Sequence, residues 1–163
     1  MIQLLLKLLR RLPKPVRKTL FHVVSLTSRA MTLGVRIFVQ DADGRVLLVK
    51  HTYLEGWHLP GGGVERGETI FQAAEKELFE ETGFKSTAPM KLFYFYKNPD
   101  HSKFDHVALL TADLTPNAVE FVPNSEISEI GFYSPESLPE DATQATRKRI
   151  SEVISGVPTT KIW

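Results

Sequence analysis

The chain has no cysteine in 163 residues. That excludes disulfides, thiolate zinc sites and a cysteine nucleophile, and it fits a reducing compartment such as the cytoplasm. Long apolar runs are absent as well. The N-terminal leucine-rich stretch is cut by Arg10 and Arg11, which leaves it too short to span a bilayer and a poor match to a secretory leader. There is no GxSxG elbow and no GxxxxGK[ST] phosphate loop, so serine hydrolases of that kind and P-loop nucleotide enzymes are set aside. Charge of one sign is not in excess either: the net charge is +1, with 42% hydrophobic and 24% charged residues. This is the composition of one soluble domain with enough chain to bury a core.

The near-neutral total conceals an uneven distribution. Of the 20 Lys and Arg, seven fall within residues 1–32, which hold no Asp or Glu; the remainder carries 13 basic against 19 acidic residues. Ile2, Leu5, Leu6, Leu9 and Leu12 share one helical stripe, while Lys7, Arg10, Arg11 and Lys14 share another, until Pro13 and Pro15 interrupt the pattern. Residues 1–32 are therefore expected to form a basic amphipathic helical arm, and residues 33–163 a separate domain. The arm could pack on its own domain or on a sister subunit, giving a homodimer, or lie in the plane of a membrane surface. Specific nucleic-acid binding is not expected.

From Leu33 onward the texture is β-rich. LGVRIFVQ and RVLLVKH flank DADG, a hairpin signal, and WHLP gives a short extended piece before three glycines. Thr69 and Gln72 have capping-box spacing, and Gly83 stands where a left-handed helix cap belongs. Residues 91–97 and 105–114 read as strands, SEISEIGFY as another, and ATQATRKRISEVISG as a closing helix. The order β-β-loop-α-β-β-β-α predicts a mixed β-sheet between helices, an α-β-α sandwich.

The helix after the glycines raises a chemical question. Glu77, Glu80 and Glu81 lie at i, i+3 and i+4 and so share a face, where like charges repel. Ile70, Phe71, Ala74 and Leu78 are expected to anchor the adjoining apolar face. Clustered carboxylates suit hard cations such as Mg²⁺ or Mn²⁺. Three glutamates alone would more often be a solvated acidic face. Here they follow PGGG, where Gly61, Gly62 and Gly63 let backbone groups approach a metal or phosphate without obstruction. His58 is expected to line the cleft beside them. Tyr53, Trp57, Phe93, Tyr94 and Tyr96 are candidates to stack a base, although alternate strand residues are often core. His51, His58, His101 and His106 fall near strand ends; without cysteine or an HExxH pattern they make a weak case for zinc.

Spacing adds a family. From Gly62 to Phe84 the chain resembles the Nudix box, G-x5-E-x7-R-E-U-x-E-E-x-G-U with U apolar, at every defined position but one. The hairpin, GWHLPGG and FYSPESLP flanks are similar too, so the resemblance covers roughly residues 32–156. It implies the Nudix fold and hydrolysis of a nucleoside diphosphate linked to another moiety, with Mg²⁺ or Mn²⁺. By match to the family, Glu77, Glu80, Glu81 and the Gly61 carbonyl are the implied metal ligands, with Glu68 supporting the loop. Glu126, preceding the aromatic of the FYSP segment, is the implied further catalytic glutamate, with Glu129 second. The departure is Lys76 in place of the box arginine, a point charge where the family has a bidentate fork. That mismatch is the main argument for the alternative, a nucleotide-binding sensor or regulatory module with little turnover. Pro99, 15 residues beyond Phe84, lies roughly where ADP-ribose hydrolases of the family carry a proline. It tips the expected substrate toward ADP-ribose or a nucleotide sugar over a nucleoside triphosphate, although a lone proline in NPDHS is commonly just a turn residue.

Overall fold

Alternation decides where the core lies. In the computed structural model, which describes residues 13–16, 18, 19, 31–114 and 121–163, strand β1 (Thr32–Gln40) sends Val35, Ile37 and Val39 to one apolar cluster and Phe38 to another. A period-two backbone must divide its side chains in this way. The chain separates into two units, Met1–Met31 and Thr32–Trp163. In the first, residues 14–16 and 18–19 are helical and exposed; the leucine stripe of residues 2–12 lies outside the described residues.

In the second unit β1 is followed by β2 (Val46–His51), β3 (Trp57–His58), α1 (Ile70–Thr82), β4 (Lys91–Lys97), β5 (Asp105–Asp113), β6 (Ile127–Tyr133) and α2 (Gln144–Ser155). β1 and β5 run parallel from Thr32↔Asp105 to Gln40↔Asp113, and β4 closes antiparallel on β5. β2 is paired on both edges: β6 covers one, and the other meets β1 at Gln40↔Val46 and β3 at Val49↔His58. The mixed sheet lies between the two helices. Ala73, Ala74 and Leu78 of α1 join Val35, Ile37 and Val39, while Ile150 of α2 joins Phe38, Trp57 and Tyr96.

One expectation for α1 is corrected. Ala74 and Leu78 are buried and Ile70 packs on the core, but Phe71 is 41% exposed. Residue 71 falls a step off the buried stripe, and Ala73 takes the inward position instead. Both ends of α1 are closed by its own sequence. Thr69 and Gln72 form the reciprocal capping box, and Gly83 adopts a left-handed φ of 75° with its N–H on the Phe79 carbonyl.

The detail that positions the site is a gap in the sheet. After Gln40↔Val46, β1 and β2 part, which leaves the first half of β1 with an unpaired edge. Residues 59–64 fill it. Ile37 N–H donates to the Pro60 carbonyl at 2.9 Å, Val35 N–H to Gly62 at 2.9 Å, and Val64 N–H to Leu33 at 2.8 Å. The glycine loop is thus stitched to the sheet, as buried backbone donors and acceptors demand.

Candidate active site

α1 turns one of its glutamates inward. Glu81 is 5% exposed, and its Oε2 accepts the Gly61 N–H at 2.8 Å. Gly61 has φ 139°, and a Cβ there would stand 2.1 Å from the Val35 carbonyl oxygen, so the position admits glycine alone. At Gly62 a Cβ would fall 2.6 Å from the Glu77 carboxyl atoms. Glu77 and Glu81, one helical turn apart, therefore press their carboxyl groups on successive glycines. Glu80 stays exposed, and its charge is felt at Glu77 and at Lys76.

The electrostatics follow from burial. Glu81 is pushed up to about 7 by desolvation, against the Gly61 hydrogen bond and the Arg36 charge, with Glu77 and Glu126 adding to the rise. Glu77 is raised too, by desolvation and then by Glu80. His51 is pushed down to about 4 by desolvation, helped by Arg36 and His58. Its Nε2 lies 3.7 Å from Glu81 Oε1. Because both shifts favour the neutral forms, this contact is not an ion pair at neutral pH. Arg36 supplies the nearby cation: its Nη1 donates to the Leu59 carbonyl at 3.0 Å and to the Gly61 carbonyl at 2.7 Å. Burial lowers its affinity for the proton, while Glu81, Tyr53 and Glu77 act in the opposite direction.

Lys76 faces away from this group. Its Nζ lies 3.0 Å from Glu65 Oε1 and 3.7 Å from Glu68 Oε1, and Glu68 Oε2 accepts the Glu65 N–H at 3.0 Å. The lysine thus ties the loop to the first half of α1, and Glu68 is a support residue beside it.

The remaining expected residues divide. Gly63 bridges to Gly34 at the exposed end of the loop. His58 donates from Nε2 to the Glu55 carbonyl at 2.9 Å, and its ring stands 5.5 Å from that of His51. Glu126 is fixed by its backbone, its N–H on Asn124 Oδ1 and its carbonyl accepting from Thr52, and its charge reaches Glu77, Glu81 and Tyr53. Glu129 instead lies 3.9 Å from Lys50. Pro99 sits in a loop closed on itself by the Asn98 N–H to the Asp105 carbonyl at 2.9 Å. Tyr96 is the correction. It is 0% exposed, packs in the cluster on the α2 side, and donates its hydroxyl to Glu152 Oε2 at 2.7 Å. An aromatic enclosed there offers no face to a base, so Tyr96 belongs to the core. A separate shallow cavity of about 500 Å³ on the outer side of α1, lined by Gln72, Lys76, Phe79 and Lys85 among others, contains none of the inward carboxylates.

Sequence reasoning missed Arg36, and it gave His51 and Tyr53 no role beside the glutamates. A lone arginine inside the apolar run VRIFV was a usable signal, because a charge in a buried strand needs partners. His51 shares a strand face with Leu47 and Val49, so alternation alone would have pointed it toward α1.

The donor set fits a divalent cation. Glu77, Glu80, Glu81 and the Gly61 carbonyl are all hard oxygen donors, and the Gly62 position leaves the Glu77 carboxyl room that any side chain would take. Among the described residues no three His, Asp or Glu side chains already converge on one point. The carboxylates would therefore close on an ion from separate positions around the loop.

Residues 31–153 match the NUDIX domain family. A Bacillus subtilis (strain 168) relative assigned as an 8-oxo-dGTP diphosphatase is 28% identical over 77% of this chain and 81% of its own. The ADP-ribose pyrophosphatase of Methanocaldococcus jannaschii is 30% identical over 61% of this chain and 60% of its own. The chain spans less than half the length of several RNA pyrophosphohydrolases it also matches. Among solved structures, an ADP-ribose pyrophosphatase from Streptococcus suis superposes with TM-score 0.57 at 23% identity, over 81% of this chain and 95% of the other, a likeness of fold.

Proposed function

The chain belongs to the NUDIX domain family and is a Nudix pyrophosphohydrolase, and we propose that it cleaves the pyrophosphate of a nucleoside diphosphate linked to another moiety, with a divalent cation. The observation that carries the reading is the folding of Glu77 and Glu81 onto Gly62 and Gly61. Carboxylates crowded against a bare backbone loop are costly unless a cation joins them there.

Glu77, Glu80, Glu81 and the Gly61 carbonyl would hold Mg²⁺ or Mn²⁺. When bound, the ion supplies charge neutralisation for the pyrophosphate and acidifies a water. The protein's own contribution is positional. The Gly61 N–H fixes Glu81, Arg36 fixes the Gly61 carbonyl from the other side, and Lys76 holds the loop to α1 through Glu65 and Glu68. Glu126, whose charge reaches the same carboxylates, is the residue to accept the proton of the attacking water. The exposed Gly63 and the half-buried His58 are the residues proposed to meet the substrate phosphates.

For substrate, ADP-ribose or a nucleotide sugar is favoured, on the Pro99 position and the archaeal ADP-ribose pyrophosphatase relative. A panel of ADP-ribose, UDP-sugars, 8-oxo-dGTP and unmodified triphosphates, each with Mg²⁺ or Mn²⁺ and resolved by product chromatography, tests this. Nucleoside monophosphate released from the diphosphate derivatives is the expected outcome. Preferential turnover of 8-oxo-dGTP would move the substrate to the triphosphates, and no release from any member would leave a binding module.

A further inference from the structure

His51 is a buried histidine on the last position of β2. Its side chain is 3% exposed, and among the described residues neither Nδ1 nor Nε2 has a hydrogen-bond partner. Buried polar atoms are almost always paired, with protein or with ordered water, so each ring nitrogen needs a partner beyond the described side chains. The ring is confined by Tyr53, at 5.3 Å between centroids, and by His58 at 5.5 Å. Its Nε2 is aimed at Glu81, the carboxylate anchored on the Gly61 N–H.

The 3.7 Å between Nε2 and Glu81 Oε1 is informative. It is too long for a direct hydrogen bond, which ends near about 3.2 Å. It is too short for a well-angled water bridge, because two bonds of about 2.8 Å would have to meet at roughly 80°. A metal ion at about 2.1 Å from each atom would subtend roughly 120°, an ordinary angle between nitrogen and oxygen ligands.

We infer that His51 Nε2 is a nitrogen ligand of the cation held by Glu81, so that this site is a mixed imidazole–carboxylate site. The inference rests on the metal site proposed above and departs from it in ligand type. With Nε2 on the ion, Nδ1 carries the proton, and the described residues leave water as its acceptor. An imidazole among oxygens shifts preference toward the later first-row divalent cations, Co²⁺, Ni²⁺ or Zn²⁺, relative to Mg²⁺. Of the other described histidines near the sheet, His58 already uses Nε2 on a backbone carbonyl, and His106, whose Nδ1 is also unpartnered, lies on β5 stacked on Phe95. Neither competes for the role from its present position.

The test uses full-length protein stripped of metal and loaded with less than one equivalent of Mn²⁺. Electron spin-echo modulation should show a directly coordinated imidazole nitrogen, whose frequency changes when histidine is labelled with ¹⁵N. The signal should vanish in His51→Gln and persist in His58→Gln. By titration, His51→Gln should lower Co²⁺ affinity about tenfold or more while Mg²⁺ affinity changes less than about twofold. If Mn²⁺ binds in a Glu81-dependent way with no nitrogen modulation, the inference is overturned and the oxygen-only site stands; if the modulation survives in His51→Gln, the inference is overturned and the nitrogen ligand is another residue. Absence of any Glu81-dependent Mn²⁺ binding would remove both. Should His51→Gln fail to fold, His51→Asn is read in the same way, and absence of the ¹⁵N-sensitive modulation from wild-type protein overturns the inference on its own.

Discussion

At the scale of single residues, Glu81 concentrates the chemistry and its cost. Its folded affinity for the proton is raised from 4.5 to about 7, so between those values the native state holds a proton that the unfolded chain has released. Stability contributed through Glu81 therefore falls as pH rises across that window. His51, lowered from 6.5 to about 4, works oppositely: the unfolded chain binds the extra proton, and stability rises with pH between about 4 and 6.5. In metal-free protein the two slopes nearly cancel from pH 4.5 to 6.5. Glu81→Gln leaves only the rising one. Urea midpoints in chelator should show this variant gaining on wild type as pH rises, by up to about 3 kcal/mol between pH 4.5 and 7. The same variant should lose at least about 10²-fold in turnover, since it removes a metal charge. A parallel pH profile for the two proteins would mean that Glu81 titrates normally. Lys76→Arg should keep or raise activity, because a guanidinium fork can bridge Glu65 and Glu68 where the ammonium reaches them at 3.0 and 3.7 Å. A large loss would show that the loop is fitted to lysine.

Between the residue and the fold stands the glycine loop, an element with no regular structure of its own. Its conformation is dictated by two neighbours, the open edge of β1 and the Glu77/Glu81 face of α1. The two glycines between them separate structural from functional need. Gly61→Ala puts a methyl 2.1 Å from the Val35 carbonyl at a left-handed φ, and no flexible side chain can give way. It should cost several kcal/mol, on the order of 3 or more, seen as a depressed melting temperature. Gly62→Ala has no such backbone obstacle, since the clash is with the mobile end of Glu77. Its melting temperature should stay within about 3 °C of wild type while metal affinity and turnover fall at least about tenfold. Equal damage from both substitutions would mean that the Glu77 carboxyl is not seated on Gly62.

On the scale of the whole domain, the opposite face is secured by a different device. Arg149 and Glu152 of α2 are 0% and 1% exposed and face each other at 3.2 Å. Glu152 also accepts the Tyr96 hydroxyl at 2.7 Å and the Thr159 N–H at 2.8 Å, while Arg149 donates to the Ile162 carbonyl at 3.1 Å. Its guanidinium lies over the Tyr96 ring at 4.1 Å and the Trp163 ring at 5.4 Å. The C-terminal tail is thereby clasped between α2 and the end of β4, where Trp163 N–H donates to the Lys97 carbonyl. Glu152→Ala strands a buried arginine and should destabilise by about 3–5 kcal/mol, a fall on the order of 10 °C. Because this clasp lies across the sheet from Glu81, Mn²⁺ affinity of the folded variant should be unchanged. A weakened ion site would show that the two faces are coupled.

The order of elements, the caps of α1 and the glutamate face were written locally. Thr69, Gln72 and Gly83 act on the backbone within four residues of themselves, and Glu77 with Glu81 share a face by helical period alone. Binary alternation likewise placed Val35, Ile37 and Val39 in the core. What local pattern could not supply is which polar groups become enclosed, because enclosure depends on segments distant in the chain. Tyr96 reads like any cleft aromatic until α2, some 50 residues later, covers it and provides Glu152. Phe71 reads like an anchor until the helix rolls Ala73 inward instead. Arg36 and His51 come from separate strands and acquire their meaning only when the loop at 59–64 fills the gap between β1 and β2 and carries Gly61 to Glu81. The sequence determined that a carboxylate helix would follow a glycine loop. The tertiary packing, by removing water from Glu81, Arg36 and His51 together, decided which of those groups share one electrostatic site.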